Sequence, residues 1–216
     1  LSSDGSRVAI GAKDNAGNGS DSGYVRVFKY QVISGTATWT QLGLDIDGEA
    51  ANDYSGESVS LSSDGSRVAI GAVNNDNVYT GGNNDNRGHV RIYDYNGSAW
   101  VQVGADIDGE VAADNFGQNV SLSSDGSKIA IGAPGHDANG SGSGRVRVYS
   151  ISSGETYQYA WDVDSGGAPS DGTAGSVASQ TAEIAGTVRI RAPIPETLSM
   201  PSAIKRANFW VAPCRE

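Results

Sequence analysis

Apolar and polar residues alternate in short runs along the first 150 positions, and the runs come back at a fixed interval. Residues 57–62 (ESVSLS) put Val59 and Leu61 on one face, the period-two pattern of a half-buried strand. Residues 67–72 (RVAIGA) read as a second strand, narrow on one face at Ala69 and Gly71. Between them lies Ser63-Asp64-Gly65-Ser66, a hairpin turn, because Gly accepts the positive φ that a tight loop requires. A polar stretch, residues 73–87, leads to a third strand at 88–95. Asn96-Gly97 supplies another turn, and residues 99–104 (AWVQVG) read as a fourth strand.

This unit is one of a series. LSSDGSRVAIGA at residues 1–12 is repeated unchanged at 61–72 and returns at 122–133 as LSSDGSKIAIGA. A second block runs in phase with it: LDIDGEAANDYSGESVS (44–60) against ADIDGEVAADNFGQNVS (105–121). Four antiparallel strands about every 60 residues describe a β-propeller blade. A β-helix would need far shorter coils, and a sandwich has no reason to repeat its sequence so closely. The expected fold is therefore all-β, built of four-stranded antiparallel propeller blades in an incomplete ring. A partial blade is expected at 1–50, with blades at 51–110 and 111–164. Trp161-Asp-Val-Asp164 reads as a shortened echo of the fourth strand and its Asp-Ile-Asp. Residues 165–216 do not repeat and read as a Gly/Ser/Ala/Thr-rich linker and a tail, with one short helical stretch around 203–209. Because the chain opens at Leu1 inside a repeat, a fragment of a longer protein is expected, and the missing leader segment carries no weight.

Composition narrows the function classes. Thirty glycines, 38% hydrophobic residues and 7% aromatics in 216 residues suit short strands and many turns. A net charge of −10 argues against a nucleic-acid partner, which needs clustered Lys and Arg. The single Cys214 leaves neither an intramolecular disulfide nor a cysteine metal cluster. No run is long enough to span a bilayer.

Asn115-Phe116-Gly117 followed by Ile131-Gly132-Ala133-Pro134 resembles the FG-GAP repeat, the blade unit of integrin α-subunit propellers and of many bacterial and algal surface proteins. The second unit keeps the frame with Tyr54-Ser55-Gly56 and Gly71-Ala72-Val73, and the resemblance covers residues 1 to about 150. It implies a propeller scaffold in a family of adhesion receptors, secreted phospholipase propellers and other surface proteins. That family often carries a calcium loop, D-x-D-x-D-G-x-x-D, between the first two strands of a blade. Here the place holds Ser-Ser-Asp-Gly-Ser in each copy, leaving Asp4, Asp64 and Asp125 each alone, far short of the six to eight oxygens calcium takes. The family's calcium site is expected to be absent from these turns.

Other candidates each have a plain structural alternative. Asp45-Ile-Asp47-Gly48-Glu49 and Asp106-Ile-Asp108-Gly109-Glu110 place carboxylates at alternate positions that could hold calcium; otherwise Asp-Gly turns the chain between blades and the other acids meet solvent. The unequal loops 13–23, 74–88 and 135–144 offer Asp14, Asp21, Asp76, Asp85 and Asp137 as ligand-binding acids, or are solvated connectors. Trp39 and Trp100, at equivalent positions, are expected to pack between blades rather than stack on a sugar. Asn18, Asn96, Asn119 and Asn139 lie in sequons, glycosylated only in a secreted eukaryotic protein. His89 and His136 have no second His or Cys at ligand spacing and read as ordinary strand and loop residues.

With no catalytic triad, phosphate loop or paired-carboxylate motif, the expected function is non-catalytic: an extracellular or cell-surface binding or adhesion module. Its expected partners are a protein or glycan ligand and the further blades that close the ring. The alternative is the propeller portion of a larger secreted hydrolase or lyase whose catalytic domain lies elsewhere.

Overall fold

The computed structural model describes residues 1–75, 85–137 and 139–151, and the backbone alone of 157–164. The chain divides into two compact units, Leu1–Ser179 and Gln180–Glu216, and everything described lies in the first. The linker, the tail and the helical stretch expected near 203–209 fall outside the described residues, as does Asp76.

The described residues form antiparallel strands and no helix. The first sheet holds β1 (Arg7–Ala12), β2 (Tyr24–Ile33), β3 (Thr36–Gln41) and β4 (Ile46–Asp47). The second holds β5 (Ser55–Leu61), β6 (Arg67–Ala72), β7 (His89–Tyr95), β8 (Trp100–Gln102) and β9 (Ile107–Asp108). The third runs β10 (Asn119–Leu122), β11 (Lys128–Ala133), β12 (Arg145–Ile151) and β13 (Tyr157–Asp164). In the second and third sheets neighbours follow chain order. Each Asp-Gly turns a hairpin tip as expected: Gly5, Gly65 and Gly126 have φ of 70°, 66° and 68°.

The fourth strand departs from expectation. The uninterrupted run predicted at 99–104 stops at Gln102, then resumes as β9 beside the same neighbour, β7. Gly43 and Gly104, with φ of 72° and 68°, bend the chain out of the ladder at equivalent places. Each Asp-Ile-Asp segment thus ends in a short strand, with Ile46 pairing Val25 and Ile107 pairing Val90. The echo at residues 161–164 has the same register, Val163 opposite Val146 and Asp164 opposite Arg145.

The middle sheet is covered on both faces, which is why its strands read as nearly continuous apolar runs. Val68, Ile70 and Tyr93 pack with Val25, Val27 and Ile46 of the first sheet. Ala69, Val90, Ile92 and Ile107 pack with Ile129, Ile131, Ala133, Tyr149 and Ile151 of the third. Alternate residues of one strand therefore serve opposite neighbours. Phe116, 2% exposed, meets Tyr149 edge-to-face at 6.4 Å.

Glycines set the spacing of these sheets. A methyl group on Gly11 would fall on the carbonyl oxygen of Gly56, and one on Gly71 on that of Gly117. The Gly of the first two Gly-Ala pairs thus meets the Gly that follows Ser55 or Phe116 in the next repeat. At Gly132 the nearest described atom to such a methyl is Asn119 Cβ, at 3.6 Å.

Equivalent residues accordingly differ in burial. Ile70 is 1% exposed while Ile10 is 51% exposed. Trp100 packs against the first core cluster, and its indole N–H donates to Leu42 O across the sheets at 2.8 Å. Trp39, expected to pack in the same way, is instead 46% exposed and meets Tyr30 of its own sheet at 5.4 Å. No sheet among the described residues lies on that side of the first sheet.

Candidate functional site

The sheets present two chemically different ends. At one end the Ser-Ser-Asp-Gly tips stand in a row. Ser3 N–H donates to Ser63 O and Ser63 N–H to Ser124 O, both at 2.8 Å. Arg7 donates to Gly65 O at 3.0 Å and Arg67 to Gly126 O at 2.7 Å. The tips line a shallow depression containing Asp4, Asp64 and Asp125, so three carboxylates that are isolated in sequence become neighbours.

Each of those carboxylates is committed to its own turn. Asp64 Oδ1 accepts from Ser62 Oγ at 2.7 Å and from Ser66 N–H at 2.9 Å. Asp4 accepts the same pair from Ser2 and Ser6, and Asp125 from Ser123 and Ser127. Hydrogen bonds to the charged form favour it. The hydroxyl of Ser2 and the amide of Ser6 hold Asp4 down to about 2, and the Ser66 amide and Ser62 hydroxyl do the same for Asp64. Asp125 is lowered further, by Ser123 and then Ser127.

The opposite end carries the long loops and the Asp-Gly-Glu segments. Here the backbone of one repeat bonds to the next: Ser55 N–H donates to Ser22 O at 3.1 Å and Phe116 N–H to Arg87 O at 2.9 Å. Several residues adopt left-handed conformations to do this, in equivalent pairs: Asn52 and Ala113 at φ 68° and 64°, Tyr54 and Asn115 at 55° and 52°. Asp53 and Asp114, at equivalent positions of the two repeats, are 4% and 3% exposed. Asp53 accepts from Ala50 N–H and the Asn75 side-chain amide at 2.9 and 3.2 Å. Asp114 accepts from Val111 N–H at 3.0 Å and faces His136 Nδ1 at 2.9 Å. Burial raises Asp53 above the usual carboxylate range, against its hydrogen bonds.

Between the sheets at this end, an arginine of each middle strand meets an acid. In the first sheet Arg26 forms a two-pronged bond to Asp45 at 2.8 and 2.7 Å. Its equivalent in the second sheet, Arg91, turns toward the first sheet, donating to Asp47 O at 3.0 Å and lying 3.4 Å from Glu49 Oε1. Its equivalent in the third, Arg147, reaches back to Glu110 at 2.5 Å, with Arg145 at 3.0 Å from the same oxygen. These bonds, Arg147's first, hold Glu110 below the usual range.

His89 occupies the position that Arg145 takes one repeat later. It is 1% exposed, with Nδ1 at 3.7 Å from Asp106 Oδ2 and 3.9 Å from Glu49 Oε2. Its Nε2 is buried without a hydrogen-bond partner. Burial, then Arg91, pulls it down to about 4 despite Asp106, so the ring is neutral at pH 7. Burial pushes Glu49 up, with Arg91 opposing and Asp106 adding. Glu49, His89 and Asp106 offer three ligand atoms within 4.8 Å of one another.

The candidates from sequence fare differently. The four alternate acids do not form one cluster: Asp45 is occupied by Arg26 and by Gln41 at 2.8 Å, and only Asp106 joins the His89 group. Asp108 sits opposite His89 in the ladder and is raised by burial and then by Asp106. Asp14 and Asp137 are exposed and Asp21 half-buried. Asp85 pairs with Arg87 at 2.6 Å, and Asp137 accepts Gly142 N–H at 2.6 Å. Asn18 already donates its side-chain amide to Gly48 O and Glu49 O at 2.9 and 3.1 Å, bonds that a glycan would displace. Asn96, Asn119 and Asn139 are exposed. His89 and His136, expected as ordinary strand and loop residues, do lie in a strand and a loop, and both are buried beside carboxylates. The in-phase recurrence of Arg26, Arg91 and Arg147 with Glu49 and Glu110 was the available signal for these junctions.

The family model described as FG-GAP repeat matches residues 105–149. That segment is an FG-GAP repeat. Its Phe116-Gly117 and Gly132-Ala133-Pro134 lie within the match, and Phe116-Gly117 is the element that closes onto Gly71 of the preceding unit. The FG-GAP repeat thus contributes Asp106 to the His89 group and Glu110 to the following junction. No curated protein matches the chain. Among solved structures, a hypothetical selenium-binding protein from Sulfolobus tokodaii is similar at 12% identity and a TM-score of 0.45, over 73% of this chain and 38% of that one. No helix among the described residues is long and apolar enough to cross a membrane.

Proposed function

We propose that the three sheets are successive blades of a β-propeller-type scaffold and that their loop-bearing end is a non-catalytic binding surface, acting in adhesion outside the cell or at its surface. The observation that supports this is the contrast between scaffold and loops. Register, glycine contacts and inter-sheet bonds recur from repeat to repeat, whereas the connections at 13–23, 74–88 and 135–144 differ in length and sequence. Variable loops on a rigid repeating frame are where recognition concentrates. Exposed Asp14 and Asp137 suit a ligand that brings a cation, a basic side chain or sugar hydroxyls. The partner class is a protein or glycan of a cell surface or matrix.

The test is a glycan and matrix-protein binding screen with the intact protein, repeated with an Asp14→Ala/Asp137→Ala variant. A ligand bound by the first and at least tenfold more weakly by the second supports the reading. Absence of any binder, or binding indifferent to the two loops, overturns it.

A further inference from the structure

We propose that Glu49, His89 and Asp106 form a site for a zinc-class divalent cation at the junction of the first and second sheets. Three observations converge on it. Glu49, His89 and Asp106 each offer one ligand atom, all within 4.8 Å of one another, and His89 Nδ1 lies 3.7 Å from Asp106 Oδ2 and 3.9 Å from Glu49 Oε2. A tetrahedral zinc ion with bonds of about 2.0–2.2 Å holds its ligand atoms roughly 3.3–3.6 Å apart. Small rotations of Glu49 and Asp106, both at the solvent side of the junction, cover the difference.

The imidazole is the second observation. It is buried, its Nε2 has no partner, and its Nδ1 points at two carboxylates from beyond hydrogen-bonding distance. A buried polar ring with neither nitrogen bonded forgoes the compensation that such groups normally obtain. A metal ion between Nδ1 and the carboxylates gives Nδ1 a partner and leaves Nε2 as it is.

The third is the comparison between junctions. At the second junction Glu110 is met by two guanidinium groups, from Arg145 and Arg147. At the first, Arg91 alone approaches Glu49, and only through Oε1, leaving Oε2 toward His89. Asp45 of the first sheet keeps its own arginine. Its equivalent Asp106 has lost Arg91 to Glu49 and Asp47 and keeps Gln102, whose amide lies at 2.7 Å. The junction therefore has one carboxylate too many for its cations, at the position where the next repeat places Arg145. A divalent ion fills that deficit, and a nitrogen donor with two carboxylates favours the zinc class over calcium, which takes oxygens. Three protein ligands leave a fourth position for water or an anionic group of a partner.

This site does not depend on the loop-surface reading, and the binding screen above has no bearing on it. The experiment is titration of the chelator-treated, dialysed protein with Co(II), followed by visible absorption, and with Zn(II), followed by calorimetry. His89→Arg and Asp106→Asn variants run in parallel. His89→Arg reproduces the residue that stands at position 145, so it retains the fold, checked by far-ultraviolet circular dichroism. Asp106→Asn provides a second variant at a half-buried position. One equivalent of Co(II) and Zn(II), at least tenfold weaker in both variants, supports the site. No binding, or binding unchanged in either variant, overturns it. Equal or tighter binding of Ca(II) that survives His89→Arg also overturns it, because the imidazole would then not be a ligand.

Discussion

Gly71 and Gly132 occupy the same position of the repeated RVAIGA/KIAIGA strand, yet replacing each with Ala should have opposite effects. Neither glycine needs a positive φ, so the backbone accepts Ala at both. Removing a glycine from the unfolded chain alone stabilises by roughly 0.4–1 kcal/mol. At Gly71 the new methyl falls on the carbonyl oxygen of Gly117 and comes within 2.5 Å of Ser58 Oγ. Gly117 is held by its own backbone bond to Gly132 O at 3.0 Å, so it cannot retreat without parting the second and third sheets. Overpacking against a fixed neighbour costs roughly 1–3 kcal/mol or more. At Gly132 the nearest described atom is at 3.6 Å, ordinary van der Waals contact. The two variants should differ by the overpacking cost, roughly 1–3 kcal/mol, Gly71→Ala below wild type and Gly132→Ala at or slightly above it. In a chain of this size that corresponds to a separation of roughly 2–12 °C in Tm. Thermal and urea denaturation of the three proteins side by side reads it directly. Equal Tm values for the two variants, or a lower one for Gly132→Ala, would show that the glycine contact does not set the spacing of the sheets.

Two further outcomes follow from particular residues. Ala113 holds φ 64°, a left-handed conformation that disfavours a Cβ by about 1 kcal/mol, so Ala113→Gly should raise stability by a few tenths of a kcal/mol to about 1 kcal/mol in urea denaturation, with no change in m-value. A loss would mean that the methyl makes a contact worth more than the strain. Asp4 and Asp64 have native values near 2, and Asp125 is lowered as well. Below the unfolded value of 3.8 the unfolded chain therefore takes up protons that the folded turns refuse. Their contribution is present in full above that value and is lost as the pH falls from about 4 toward 2. Replacing all three with Asn should flatten the acid limb of the stability curve in that window. Glu49, Asp53 and Asp108 are raised rather than lowered, so their titration acts above pH 4 and in the opposite sense. An acid limb unchanged by the triple variant would refute the assignment.

The sequence alone determined the second unit's first three strands, the Asp-Gly hairpin tips and the repeat, because these rest on short-range preferences. Alternation of apolar residues, Asp-Gly turns and a period of about 60 residues are read within a few positions of one another, and every copy gives the same answer. Even the last Asp-x-Asp, at residues 162–164, takes up the register of its predecessors. Tertiary structure alone decided what each equivalent residue does. Ile10 and Ile70 share a local sequence, yet one is exposed and the other buried. Trp39 faces outward while Trp100 bonds across the sheets. Asp45 keeps its arginine, whereas Asp106 loses the equivalent one to the neighbouring sheet and gains a buried imidazole. Burial and charge pairing depend on which sheet stands on which side, a relation between segments about 60 residues apart. Two identical dodecapeptides cannot encode that difference in themselves; it arises when one of them has a neighbour on both faces and the other on one.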